Sequence, residues 1–155
     1  MRLALVALTA ALLAACSGEP AQPSASPSPT PAGVVAGLVD ALTAAGLEAR
    51  QAGAFDAFFG ARGIELCVAG ETLNVMVYQS PEASAAAAAQ INPRDPSMIG
   101  NAMVDWVGPP SFWRHDSLIV YYIGSSERIR DALLEVLGAP FAVAQGALRV
   151  ELPGC

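Results

Sequence analysis

The 155 residues contain no lysine and a single histidine, His115. Eight arginines face fourteen aspartates and glutamates, for a formal net charge of −6. A chain so short of cations is repelled by nucleic acid and by anionic lipid headgroups, so neither is expected to be held by charge. One histidine also leaves little room for familiar catalysis. His115 sits between Arg114 and Asp116 in what reads as a polar hairpin turn, where water is the expected neighbour. The chain has no G-x-S-x-G elbow to supply a nucleophile. Its carboxylates are scattered without an Asp-x-Asp-x-Asp-Gly loop, and neither G-x-G-x-x-G nor a phosphate loop occurs. No catalytic residue, metal site or cofactor is therefore expected, and the chain does not read as an enzyme.

An apolar run long enough to cross a membrane is also missing. The longest opens the chain: after Met1-Arg2 come Leu3 to Ala15, about a dozen residues against the roughly 20 a spanning helix needs. It ends in Leu13-Ala14-Ala15-Cys16, which resembles the lipobox of bacterial lipoproteins over residues 1–16. That resemblance implies cleavage before Cys16, a diacylglyceryl group on its thiol and acylation of the new amino terminus. Residues 1–15 would then be a signal peptide, and the lipid on Cys16 would anchor the protein to the cell membrane or the outer membrane, facing away from the cytoplasm. Two or more acyl chains hold firmly where one is marginal, at about 0.8 kcal/mol per buried methylene.

Few cysteines remain. Cys67 and Cys155 lie 88 residues apart, too far for a zinc-ligand motif, in a compartment where disulfides persist. Paired, they would close a long loop and stabilise the fold by about 4 kcal/mol in the chain-entropy model. The alternative is a small core residue at Cys67 and a free thiol at the chain end.

Residues 17–32, SGEPAQPSASPSPTPA, lack large apolar side chains and cannot form a core. With Cys16 they read as a tether of polyproline character, up to about 45 Å long at roughly 3.1 Å per residue. Residues 33–155 are then one domain. Val34, Val35, Leu38, Leu42 and Ala45 recur at helical spacing before Gly46. The glycine- and alanine-rich stretch 47–63 reads as irregular, with Phe55, Phe58 and Phe59 plugging a core edge. Ile64–Val68 and Leu73–Tyr78 read as a hairpin, followed by a helix opened by Ser80-Pro81-Glu82. Ala102–Val107 suggests a further strand. Phe112-Trp113 and Leu118–Ile123 form a second hairpin, and Ser125-Ser126-Glu127 opens a last helix ending at Gly138. At an offset of 45 residues, Leu73-Asn74-Val75 meets Leu118-Ile119-Val120, and Ser80 meets Ser125. The expected fold is α+β: an antiparallel sheet built from two hairpin-plus-helix (ββα) units, with an additional N-terminal helix.

Aromatic residues are scarce, at 6%, yet they gather around the second hairpin. Trp106, Phe112, Trp113 and Tyr121, with Met76 and Tyr78 from the first hairpin, make a candidate interaction surface if one sheet face stays open. The alternative is a sheet buried on both sides. The function expected is an extracytoplasmic lipoprotein acting as a binding or interaction module, toward an envelope protein or a second copy of itself. An inhibitor or immunity-type protein is an alternative; a hydrolase with two converging carboxylates is another.

Overall fold

Thr30 and Pro31 begin the first helix in the computed structural model, which describes residues 30–147, 149–150 and 152–155. The expected signal peptide, Cys16 and the tether up to residue 29 lie outside the described residues. Helix α1 (Pro31–Ala44) opens with the Thr30 side chain accepting a hydrogen bond from the Gly33 N–H and with proline in its first turn. Both are N-terminal signals, so the last residues assigned to the tether belong to the helix.

After it come β1 (Ala49–Asp56), β2 (Arg62–Val68), β3 (Glu71–Val77), helix α2 (Pro81–Ala88), β4 (Met98–Ile99), β5 (Ala102–Met103), β6 (Ser111–His115) and β7 (Leu118–Tyr122). Helix α3 (Glu127–Leu137) and β8 (Ala142–Val143) complete the chain. One antiparallel sheet runs in the order β1-β2-β3-β7-β6-β8, and β4 and β5 form a separate two-stranded ribbon. The fold is thus α+β, with the two ββα units and the N-terminal helix expected from the sequence.

At the centre of the sheet the two units meet. Val75 pairs with Val120, flanked by Asn74–Tyr121 and Met76–Ile119. These pairs map onto one another at the 45-residue offset, so the strands obey a local two-fold axis through Val75 and Val120. The helices break it. Side chains of α1 and α3 join Leu66, Leu73, Val75, Leu118, Val120 and Tyr122 on one face. Ala87 of α2 joins Met76, Phe112, Ile119 and Tyr121 on the other. The helix caps are Ser80 and Ser126, so the second connection is one residue longer than the first. Each face of the sheet is therefore covered. The α2 helix is also fixed to the second hairpin, where the buried Ser84 hydroxyl donates to the Asp116 carbonyl.

Stretch 47–63 is mostly strand, contrary to the sequence reading. Its ARQAGAFD segment carries no alternation because β1 is a sheet edge, held by backbone pairing to β2 and mostly exposed. Gly63 admits Phe55 at this pairing: a Cβ there would fall 2.3 Å from the Phe55 carbonyl oxygen. A register shift between Gln51 and Gly53 interrupts the exposed edge, as sheets do where further strand addition is unwanted. Of the strand expected over Ala102–Val107, only Ala102–Met103 forms. Residues 104–110 instead run as irregular chain over the second face of the sheet.

Candidate functional site

Only one of the sequence-derived site assignments becomes a bond among the described residues. Cys67 in β2 and Cys155 at the chain end form a disulfide, with Cα atoms 5.6 Å apart. The Cys155 N–H donates to the Gly70 carbonyl at 3.0 Å, and an Arg50 Nη2 donates to the Cys155 carbonyl oxygen at 3.0 Å. The C-terminal end is thereby fastened to the tip of the first hairpin. Upstream, the Ala144 N–H bonds Pro110 and the Arg149 N–H bonds Val107. The described residues 144–147, 149–150 and 152–155 form a strap that starts beside β8 at one sheet edge and ends beside β2, and the disulfide closes it.

The aromatic surface does not exist as a surface. Phe112, Trp113, Met76, Tyr78 and Tyr121 are all buried, and Trp106 is half-buried. Nor do they share one face: Trp113 points into the layer beneath α1 and α3, with its indole N–H on the Gly138 carbonyl. The others pack beneath α2 and the 91–110 segment. Tyr121 stands at the centre of the second layer, edge-on to Phe55 at 6.0 Å and beside Phe112 and Trp106 at 5.4 and 5.5 Å. Such ring geometries add to area burial. Residues whose alternation looked apolar on both sides are apolar because both sides are covered. That corrects the candidate interaction surface over Trp106, Phe112, Trp113, Tyr121, Met76 and Tyr78.

Polar groups in the core are tied to structure. The Tyr122 hydroxyl donates to Glu71 Oε2 at 2.5 Å and accepts from the Ser126 N–H at 3.0 Å. It thus joins the start of β3 to the cap of α3. Burial, reinforced by the Glu71 hydrogen bond, pushes the Tyr122 phenol well above its ordinary range. Burial alone pushes Tyr78 up to about 12, and burial with the Glu65 charge does the same for Tyr121. His115 is the last residue of β6, paired with Leu118 across the turn, its Nε2 3.6 Å from Asp116 Oδ2, with both side chains more than half exposed. Among the described residues no three His, Cys, Asp or Glu side chains gather as a metal site.

What the strap does build is a cleft. One opening, about 440 Å³, lies between the 92–97 loop, the chain around Trp106 to Pro110, and strap residues 144–147 and 149. Clefts of this size take small molecules. The Trp106 ring forms a wall, held in place by its N–H on the Pro96 carbonyl at 3.0 Å and backed by Phe58, Phe112 and Tyr121. Arg94 enters from the loop, whose turn is fixed by Asn92 Oδ1 accepting from the Arg94 and Asp95 N–H groups. Arg149 pairs with Asp105 at 2.5 Å. Gln145 completes the polar lining from the strap. The strap also lines two smaller clefts, one beside α3 at Arg130 and Leu134 and one beside Glu71 and Tyr122.

Sequence reasoning did not single out Arg94, Gln145 or Arg149. Pro93 and Pro96 stiffen the Asn92–Ser97 loop, but nothing local says that residues far downstream lie against it. No family model, curated protein or solved structure matches the chain.

Proposed function

We propose that this chain is a lipid-anchored domain of the extracytoplasmic cell envelope, a binding module rather than an enzyme, whose ligand enters the strap-walled cleft at Trp106. The observation that carries the reading is the Cys67–Cys155 disulfide. It belongs to an oxidising compartment, in agreement with the Leu13-Ala14-Ala15-Cys16 motif, and it holds the strap that supplies one wall of the cleft. No helix among the described residues is long and apolar enough to cross a membrane, so the lipid on Cys16 is the element that would provide attachment. With the aromatic set in the core, the cleft takes over from the sheet face as the place where binding is proposed.

Fractionation of cells expressing the full chain tests this directly. The unaltered protein is expected with membranes, without alkylatable thiols at positions 67 and 155. Cys16→Ser is expected in the soluble extracytoplasmic fraction. Retention of that variant in the membrane would end the anchoring claim, and two reactive thiols in the cellular protein would end the compartment claim.

A further inference from the structure

We infer that the domain rests on the bilayer with the α2 side of its sheet, through an exposed apolar patch at Phe59, Met103 and Val107. The partner is a lipid surface, and the inference rests on the anchoring proposed above, not on the cleft. Phe59, Met103 and Val107 are 42%, 78% and 43% exposed. All three belong to chain that lies over this side of the sheet. Phe59 follows Phe58, whose ring stands edge-on to Trp106 at 6.0 Å, and Val107 follows Trp106 itself. Met103 ends β5, directly before Val104, which packs into the layer below. The Arg149 N–H on the Val107 carbonyl brings the exposed Val150 beside them. Phe59 has a left-handed backbone, φ 56° and ψ 35°, which is rare for a bulky side chain. Phe58 thus turns inward while the next ring stands in water.

Charge separates this side of the sheet from the other. Residues 57–61 carry no charge, and residues 98–110 carry only Asp105, which Arg149 pairs. The 92–97 loop sets Arg94 beside Asp95, and α2 adds Glu82 alone. On the side of α1 and α3, the exposed Asp40, Glu48, Glu127, Asp131 and Glu135 stand against Arg128 and Arg130. A membrane surface with anionic headgroups repels the helical side and meets almost no net charge on the other. Apolar and aromatic side chains on a face of that kind settle at the boundary of headgroups and acyl chains. The attachment of the chain selects lipid over a protein partner. Thr30 caps α1, and Ala32 in its first turn lines a cleft with Arg62 and Val77, which pair at the end of the sheet where the 57–61 loop turns. The tether therefore joins the domain at the same end as Phe59. At roughly 3.1 Å per residue, residues 16–29 keep Thr30 within about 45 Å of the lipid on Cys16. A contact too weak to hold a free protein is then made within one anchored molecule.

The experiment reconstitutes the full chain, expressed in cells, into phosphatidylcholine vesicles whose acyl chains do or do not carry bromine, a contact quencher of tryptophan. Phe59→Trp places a reporter in the patch. Ala36→Trp places one on the exposed side of α1, near the same end of the sheet but on the acidic side. After subtraction of the unaltered chain, bromine is expected to quench Phe59→Trp by roughly twofold or more beyond Ala36→Trp, as insertion of one face requires. A second readout needs no new side chain in the patch. Peroxide should oxidise Met103 in the anchored chain at least roughly threefold more slowly than in Cys16→Ser mixed with the same vesicles, because lipid covers the thioether. Equal quenching at the two positions, or equal oxidation of Met103 in the two proteins, overturns the inference. So does an emission shift of Phe59→Trp that grows with protein concentration in detergent, which would assign the patch to a second copy. Vesicle co-sedimentation on the same samples separates the two readings. A chain that sediments without these signals keeps its anchor and loses this orientation, whereas one that does not sediment loses both.

Discussion

Tyr78, Tyr121 and Tyr122 stand within one sheet region, and each is held in its neutral form by burial. In the unfolded chain their phenols would titrate near pH 10; in the fold they do so at about 12 for Tyr78 and Tyr121, and Tyr122 is raised as well. The sign follows from linkage. Above about pH 10 the unfolded state loses protons that the native state keeps, so native stability is full below that pH and falls as pH rises through the folded values. Thermal melts between pH 8 and 12 should therefore show a plateau and then a steep loss beginning near pH 10. A melting temperature flat to pH 11.5 would contradict the burial of these three groups. Tyr122 should carry much of the loss, because its ionisation would place a phenolate against Glu71. Each of these residues could be seen in the sequence as an apolar strand position. Their hydrogen-bond partners could not, since Glu71 and Tyr122 are 51 residues apart.

Among the elements, the β1–β2 pairing is where composition misled most. An edge strand needs no full hydrophobic face, so its ARQAGAFD segment gives no period-2 signal, and its pairing to β2, with Phe55 packed on Tyr121, decides that it is a strand. Two glycines in this pairing separate rigid from yielding neighbours. A methyl at Gly63 meets the Phe55 backbone oxygen and ring, whereas one at Gly53 meets the far end of the Glu65 side chain at 2.7 Å. Gly63→Ala is expected to destabilise by about 1–3 kcal/mol, as overpacking against fixed atoms does. Gly53→Ala should stay within about 0.5 kcal/mol, since Glu65 can swing aside. Urea midpoints of the two variants check this, and equal effects would mean that the edge strand adjusts freely. By contrast, the helices were legible because their ends carry local chemistry. Ser80 with Pro81 and Ser126 with Glu127 are caps whose geometry is settled within four residues. Thr30-Pro31 belongs to the same class, although it lies at the end of a proline-rich run that masks it.

For the molecule as a whole, the strap and its disulfide decide how the clefts are made. Reduction should lower the unfolding free energy by about 4 kcal/mol, the loop-closure contribution for an 88-residue separation, read from urea unfolding with and without reductant. The strap itself rests on a few backbone hydrogen bonds and carries the exposed side chains of Val150 and Leu152. Limited proteolysis under reductant should therefore cut within residues 144–155 before the sheet opens. Cleavage spread evenly through the sheet would argue that strap and core unfold together.

The amino-acid sequence by itself determined the local and periodic features: the caps, the two hairpins, the repeat offset and the α+β class. It did so because each depends on interactions within a few residues or on the alternation of one strand. Only the tertiary structure decided which faces are covered. The 45-residue repeat predicts equivalent helices, yet α2 and α3 lie on opposite sides of a sheet whose central strands keep their two-fold axis. That placement turns an apparent aromatic surface into core. The cleft also belongs to tertiary structure, because it is assembled from a loop near residue 94, a ring at 106 and a strap beyond 144, and that strap is held by a bond to Cys67. No local pattern joins these segments; the chain's return across the sheet does.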